Sequence, residues 1–171
     1  MERKALEEIK KITERQEELL RFPHFSNKDA LELGKFITDK IYERDMELAV
    51  AIRKINGAIL YQHMTEGTCL NNQNWMMRKF RTVSLMERSS FGAWVVSNLS
   101  GETIPIHGLS ETEYVFCGGG FPIRVKTGEM VAILTVSNLP HIEDHHFIIE
   151  VLSEWLGIEN VPQIEISNYE T

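Results

Sequence analysis

The sequence is poor in cysteine, in positive charge and in long apolar stretches. Its two cysteines, Cys69 and Cys117, show no paired metal-binding spacing, and a reducing compartment favours two free thiols over a disulfide. The amino-terminal stretch is charged throughout and lacks the apolar core of a secretion signal. No stretch approaches the roughly 20 apolar residues that a membrane span requires. These absences predict a cytoplasmic protein without a membrane span.

The charge balance also argues against a nucleic-acid partner. Asp and Glu number 25 against 18 Lys and Arg, which gives a formal net charge of −7. A general nucleic-acid binder needs a basic surface to neutralise phosphates. Any site for an anion on this protein must therefore be local.

The chain does contain clear helical patterns near its amino terminus. Apolar residues recur at three- and four-residue steps over residues 2–21, which is typical of an amphipathic helix. Ser26 and Asp29 form a capping-box-like start for a second helix. Its predicted buried face consists of Leu31, Gly34, Ile37 and Ile41. We predict that residues 1–45 are a helical extension packed on the main domain, residues 46–171, or on a partner subunit.

A β-hairpin is the sharpest local prediction. Two apolar stretches flank Asn56-Gly57, a dipeptide suited to a two-residue type I′ turn. That turn would pair Ile52 with Tyr61 and Val50 with His63. His63 would then lie on the same face of the sheet as its aliphatic neighbours.

The rest of the chain predicts one more helix, several strands and a final helix. Residues 71–87 read as a helix, and 89–96 as a short helix or strand. Strands are predicted at 113–117, 123–126 and 129–136, the last of them apolar on both faces and therefore central. A helix then runs to Gly157, with Ser137 or Asn138 as its cap and Pro140 in its first turn. Tight turns between neighbouring strands predict an α+β fold with a mainly antiparallel sheet.

The run Gly118-Gly119-Gly120 raises the question of a phosphate-binding loop. A P-loop or a Rossmann turn leads into a helix, whereas Phe121-Pro122 and a strand follow here. One interpretation is a sharp bend whose backbone angles only glycine adopts easily. The other is a bare backbone patch against which a flat ligand lies.

Three further groups of residues are candidates for chemistry. His141 and His145 lie one turn apart and could chelate a metal, but no third ligand is evident, so a solvated first turn is the simpler interpretation. A basic group could hold a ligand carboxylate or phosphate, or pair with surface acids. Its members are Arg78, Lys79, Arg81 and Arg88. Cys117 lacks any partner that would activate a thiol. No catalytic constellation is complete, and no metal site is predicted.

Two stretches together resemble a known family. They are WMMRKFRTVSLMERSS and FCGGGFPIRVKTGEMVAILTVSNLPHIEDHHFIIEVLSEWLG. Their order resembles the haem-degrading domain family of GlcG-like and HbpS-like proteins over residues 47–157. The resemblance implies a profilin-like sheet flanked by helices, assembly into homo-oligomers and, in some members, haem binding or breakdown. Asn138 departs from this family, which usually has glycine there.

The resemblance also suggests where a ligand would bind. If the ligand is haem, the hypothesis is a groove beside the three glycines, with Lys79 or Arg78 facing the propionates. His63 or His107 would be the axial ligand. We therefore predict a small-ligand-binding protein, and as an alternative an oligomeric adaptor that recruits a protein partner without ligand chemistry.

Overall fold

A computed structural model describes residues 2–165, and these residues form five α-helices and four β-strands. The helices are α1 (Arg3–Leu19), α2 (Asn27–Glu43), α3 (Leu70–Met86), α4 (Ser90–Ser100) and α5 (His141–Leu156). The strands are β1 (Ala49–Lys54), β2 (Ile59–Met64), β3 (Gly120–Arg124) and β4 (Met130–Ser137), and a short 3-10 helix covers Ile104–His107. The predicted α+β class is confirmed. Within residues 2–165 no helix combines the length and apolar character needed to cross a membrane.

The strands form one antiparallel sheet in the order β2-β1-β4-β3. β4 is central, as its apolar sequence predicted, and its residues from Ala132 to Ser137 are buried. β1 pairs with β4 so that Val50 lies opposite Val136 and Ala49 opposite Ser137. Successive side chains on a strand point to opposite faces. Val50 and Val136 therefore belong to one face, and Ala49 and Ser137 to the other.

The hairpin between β1 and β2 has the predicted strand pairs but a different turn. Val50 pairs with His63 and Ile52 with Tyr61, as expected. The turn is longer than two residues: Gly57 N donates to Lys54 O at 2.8 Å, and Lys54 N to Ala58 O at 2.9 Å. Only Gly57, at φ +92°, has the left-handed conformation that type I′ demands of both central residues. A register shift between Ile52 and Arg53 absorbs the extra residue.

Helices cover both faces of the sheet. On one face α2 and α5 bury the larger core, to which Leu33, Ile37, Ile148 and Leu152 contribute fully buried side chains. Each such side chain stabilises the fold by about 1.5–3 kcal/mol. On the other face α3 packs Met76 against Ala49 and Ala51. The helix α3 therefore reaches the sheet face on which Ser137 lies.

The two amino-terminal helices pack on the rest of the chain in different ways. Leu6 and Ile9 of α1 contact Phe91 and Val95 of α4. α2 lies in the larger core and begins with the predicted capping box at Ser26. The buried face of α2 was wrong at one position, since Leu31 is 42% exposed while Ala30 and Leu33 are buried.

Residues 113–117 do not form the predicted strand. Side chains of α3 satisfy their backbone instead of a neighbouring strand. Thr82 Oγ1 lies 2.8 Å from Val115 O and accepts from Val115 N at 3.1 Å, and Arg78 Nη2 donates to Tyr114 O at 3.4 Å. Backbone N–H and C=O groups that already bond to side chains do not require hydrogen bonds to a neighbouring strand. It runs along α3 as an irregular wall.

The start of the last helix also differs from the prediction. Pro140 occupies the N-cap position of α5 rather than its first turn, and neither Ser137 nor Asn138 caps it. Asp144 N instead donates to Pro140 O at 2.9 Å. The predicted end at Gly157 is confirmed by its left-handed φ of +64°.

Candidate functional site

An open cavity of about 500 Å³ lies where α3 and α5 begin. The end of β4 and the irregular wall before β3 complete its rim. Its walls combine aromatic rings, amides and a charged floor. The lining residues are Asn71, Asn72, Trp75, Lys79, Trp94, Phe116, Cys117, Ser137, Asn138, Leu139, His141 and Asp144. Sites for small ligands are commonly concave and of about 300–1,000 Å³.

A buried ion pair forms the floor of the cavity. Lys79 Nζ donates to Asp144 Oδ2 at 2.7 Å and to Val136 O at 2.9 Å. The two side chains are only 3% and 2% exposed. Leu139 N donates to the other carboxylate oxygen, Asp144 Oδ1, at 3.2 Å. This pair joins α3, the end of β4 and α5 at one point.

Burial changes the acidity of the Asp144 carboxyl. Loss of solvent raises its pKa from 3.8 to about 6, although the neighbouring Lys79 ammonium and the Leu139 N–H act in the opposite direction. The carboxyl is therefore charged for most of the time at pH 7 and readily protonated below pH 6. A perturbed acid in a cavity is a common property of functional sites.

The three glycines lie behind this floor and make close contacts with it. A Cβ on Gly118 would overlap the His141 carbonyl, and a Cβ on Gly119 would lie 2.5 Å from Lys79 Nζ. Gly119 also has a φ of +103°, a conformation that favours glycine. Gly120 N donates to Ser90 Oγ at 2.9 Å. All three are buried, so they allow α3 and α5 to approach β3 rather than line the cavity themselves.

The two histidines of the proposed chelating pair serve different partners. His145 is fully buried, and its Nε2 lies 2.9 Å from Gln16 Oε1 of α1. His141 lines the cavity and accepts a hydrogen bond at Nδ1 from Gly118 N at 3.4 Å. Within residues 2–165 no group of three or more potential metal ligands occurs. The predicted solvated first turn is only partly correct, because Glu143 is exposed whereas Asp144 and His145 are buried.

Both histidines are held in their neutral form. Burial lowers the pKa of His145 to about 3, with small contributions from the nearby histidines. Burial also lowers the pKa of His141, and the Lys79 charge adds to this effect. At pH 7 the imidazole in the cavity is therefore uncharged.

The other site residues expected from the sequence lie elsewhere. His63 is on the opposite face of the sheet, where its Nε2 lies 3.0 Å from the Tyr42 hydroxyl. His107 lies 3.7 Å from Glu102 and lines a separate recess of about 110 Å³. Arg78 stacks on Trp75 at 4.4 Å and donates to Glu111 O at 2.7 Å. Of the predicted set, Lys79 alone lines the cavity, and Arg78 supports one of its walls.

Sequence reasoning missed several residues of the cavity. Trp75, Trp94 and Asp144 carried no local motif that marks a site. Asp144 is 65 residues from Lys79 in the chain, so only the fold brings the two charges together. The closest available signal was one acidic residue near the start of a helix that also carries histidines.

Asn138 has a strained backbone at the rim of the cavity. Its φ of +144° falls in a region that residues other than glycine rarely adopt. Its side chain makes two compensating hydrogen bonds: Nδ2 donates to Glu47 O at 2.9 Å, and Oδ1 accepts from Asn72 Nδ2 at 3.2 Å. These bonds join the rim to the start of α3 and to the segment before β1.

Comparison with known proteins places the chain in a family. The model of the haem-degrading protein HbpS-like family matches residues 25–153. The chain belongs to the HbpS-like family. The family that the sequence resembled is thus confirmed, and the match includes the residues that line the cavity. The protein is also 32% identical to UPF0303 protein YE1367 of Yersinia enterocolitica over 146 residues, which cover 85% of this chain and 86% of the relative.

Solved structures with the same fold agree. A crystal structure of the Ybr137w protein superposes with a TM-score of 0.76 and 27% identity, covering 89% of this chain and 87% of that one. HbpS superposes with a TM-score of 0.61 at 19% identity, covering 80% and 93% of the two chains. PduOC, crystallised as a haem complex, gives 0.57 at 14% identity, covering 75% and 93%. The last two likenesses concern the fold alone.

Proposed function

We propose that this HbpS-like protein binds a flat aromatic ligand in the cavity between α3 and α5. The observation that carries the proposal is an open cavity with aromatic walls and a buried ion pair as its floor. Trp75, Trp94 and Phe116 supply faces for stacking, and Lys79 supplies a charged hydrogen-bond donor. Ligand sites typically combine such apolar walls with a few placed polar groups.

The aromatic walls are held in place by their own partners. Trp94 stacks on Phe91 with ring centroids 5.3 Å apart and meets His141 edge-on at 5.2 Å. Trp75 is supported from one side by the Arg78 guanidinium. Aromatic rings fixed in this way lose little conformational entropy when a ligand stacks on them.

Haem is the ligand that the family name suggests, and the cavity fits part of it. The aromatic walls suit the flat porphyrin. The iron lacks a suitable histidine ligand. Among the described residues, His141 provides the only imidazole in the cavity. A backbone N–H always donates, so His141 Nδ1 is an acceptor for Gly118 N and the neutral ring carries its proton on Nε2. A ligand to iron needs an unprotonated nitrogen. Cys117 also lines the cavity, but haem iron takes a cysteine as its thiolate, and burial raises the pKa of Cys117 and keeps it a neutral thiol. The residues present therefore fit the porphyrin body and not the iron.

Porphyrin titrations test the proposal. Metal-free protoporphyrin IX and haemin are each titrated against the protein while tryptophan fluorescence is followed. We expect saturable one-to-one binding of both, with dissociation constants within about threefold of each other. If neither porphyrin shows saturable binding, the proposal is wrong. Binding of haemin alone, lost in His141→Ala, would show that iron ligation is the main interaction.

A matched pair of variants locates the site. Asn71 lines the rim of the cavity, whereas Asn74, one turn along the same helix, is exposed and does not line it. Asn71→Trp should fill the opening and weaken porphyrin binding by about tenfold or more. Asn74→Trp carries the same change of residue type and should bind like the wild type.

The cellular location and the assembly of the protein are part of this proposal. A cytoplasmic, homo-oligomeric protein is consistent with the absence of a membrane-spanning helix in residues 2–165 and with several exposed apolar side chains. They include Ile55, Ile59, Leu70, Leu85 and Ile106. Light scattering coupled to gel filtration tests the assembly, since a single monomeric peak at all concentrations would contradict it. The adaptor alternative predicts that porphyrins do not bind at all.

A further inference from the structure

We infer that Lys79 binds the carboxylate group of an aromatic ligand in the cavity, and that Asp144 takes up one proton when this happens. The inference rests on the proposed ligand-binding function of the cavity. It adds the chemical class of the ligand, a flat aromatic carboxylate, and a dependence of its affinity on pH.

The hydrogen bonds of Lys79 leave room for a ligand. An ammonium group has three N–H donors. Within the described residues, Lys79 Nζ uses two of them, toward Val136 O and Asp144 Oδ2. Its side chain is 3% exposed and forms part of the cavity wall. The third donor of this buried cation is thus available to an acceptor in the cavity.

The surroundings of the floor favour an anion as that acceptor. The cavity lies beside the first turns of α3 and α5, where backbone N–H groups concentrate partial positive charge. The hydroxyl of Ser137, also in the wall, accepts from Asn72 Nδ2 at 3.4 Å and keeps its own proton to donate. Because the tryptophans line the same cavity as Lys79 and Ser137, an aromatic carboxylate there can combine ring contacts with these donors.

A bound carboxylate would compete with Asp144 for the same cation. Two carboxylates on one ammonium repel each other, and a low-dielectric site strengthens that repulsion. Protonation of Asp144 removes it. The Asp144 pKa, raised by burial to about 6, makes this protonation inexpensive near neutral pH. The ligand then replaces Asp144 as the counter-ion of Lys79.

Few other charges in the described residues face Asp144. Lys79 approaches from α3, the Cys117 thiol from the segment before β3, and His141 and Glu143 belong to α5 itself. Burial raises the pKa of Cys117 and lowers that of His141, so both are neutral at pH 7. Glu143 raises the pKa of Asp144 slightly. β4 contributes the uncharged Val136 carbonyl. Asp144 is therefore the group expected to take up the proton.

Calorimetry with two matched probes tests the inference. Naphthalene-2-carboxylate and naphthalene-2-carboxamide have the same ring and differ in charge. Each is titrated into the protein at pH 7 in PIPES and in imidazole, two buffers of different ionisation enthalpy. We expect the carboxylate to bind more tightly and to take up close to one proton. Its affinity should fall by about tenfold per pH unit between pH 6.5 and 8.5. The carboxamide should show neither effect.

Variants identify the two groups. Lys79→Met should reduce the affinity for the carboxylate to that of the carboxamide. The control Lys35→Met, at an exposed position of α2, should leave the affinity unchanged. Asp144→Asn should abolish both the proton uptake and the pH dependence. The wild-type measurement in two buffers needs no variant, so the inference stays testable if Asp144→Asn does not fold.

The outcomes separate this inference from the proposed function. Equal binding of both probes without proton uptake would overturn the inference and leave the ligand-binding function intact. Tighter binding of the carboxamide would do the same. If neither these probes nor the porphyrins bind, the inference and the proposed function fail together.

Discussion

Replacing Lys79 and replacing Asp144 should lower the free energy of unfolding by different amounts. Lys79→Met leaves a carboxyl that can become neutral, whereas Asp144→Asn leaves a buried ammonium that cannot do so easily, since lysine in water loses its proton only above about pH 10. The pair is almost fully buried, so solvent screens neither remaining group. We expect Asp144→Asn to be the more damaging change.

The structure sets the size of each effect. Because its pKa is about 6, protonating the Asp144 carboxylate at pH 7 costs about 1.4 kcal/mol, the free energy that corresponds to one pH unit. Loss of the hydrogen bond to Val136 O adds about 1 kcal/mol. Lys79→Met should therefore cost about 2–3 kcal/mol. Asp144→Asn should cost about 3–5 kcal/mol, the usual loss when one partner of a buried pair is removed.

The pH dependence follows from the raised pKa of Asp144. Because the folded value, about 6, lies above the ordinary value of 3.8, this group contributes its full stability below pH 4 and loses it as the pH rises through 6. Lys79→Met raises that pKa further. The deficit of this variant should therefore shrink by about 1.4 kcal/mol when the pH is lowered from 7 to 5.

Urea denaturation at pH 5 and pH 7 measures these free energies of unfolding. Lys35→Met and Asp39→Asn, both on exposed positions of α2, are matched controls that should change stability by less than about 0.5 kcal/mol. The double variant Lys79→Met/Asp144→Asn should be more stable than Asp144→Asn alone. A deficit for Lys79→Met that equals or exceeds that of Asp144→Asn at pH 7, or that does not change with pH, would refute this reasoning.

Three further comparisons test the packing of Gly119, Asn138 and Gln16 by the same assay. Gly119→Ala should destabilise more than Gly128→Ala, because both have positive φ but only at Gly119 would a Cβ meet neighbours, the Val136 carbonyl oxygen at 2.8 Å and Lys79 Nζ at 2.5 Å; equal losses would mean that this close packing is absent. Asn138→Gly should be more stable than Asn138→Ala by about 1–3 kcal/mol, since glycine relieves the strained backbone, and the reverse order would mean that no strain exists there. Gln16→Ala should cost about 1–3 kcal/mol by leaving His145 Nε2 without its acceptor, and a neutral result would mean that water replaces it.

The fold could be predicted from the sequence where local signals act alone. The capping box at Ser26 and the glycine that ends α5 each depend on a few neighbouring residues. The predicted pairing of Val50 with His63 occurs although the turn differs, because a register shift between Ile52 and Arg53 compensates for the longer turn. The strand predicted at residues 113–117 failed because Thr82 and Arg78, more than 30 residues away, satisfy its backbone. A local sequence pattern cannot show that side chains distant in the sequence will take the backbone hydrogen bonds of a predicted strand.

The candidate site was less predictable for the same reason. Lys79 was recognised from its charge, but its partner Asp144 comes from another helix. His63 was proposed as an axial ligand, but its side chain contacts Tyr42 of α2, whereas His141 lines the cavity. A strand, β3, follows the glycine run, as the sequence indicated. Its close packing against Lys79 required the positions of three elements at once.

A crystal structure of the protein with metal-free protoporphyrin IX would locate the bound ligand. We expect electron density for the porphyrin between Trp75, Trp94 and Phe116, with one propionate within hydrogen-bonding distance of Lys79 Nζ. Porphyrin density beside His63 or His107, with none in the cavity between α3 and α5, would show that the proposed site is wrong.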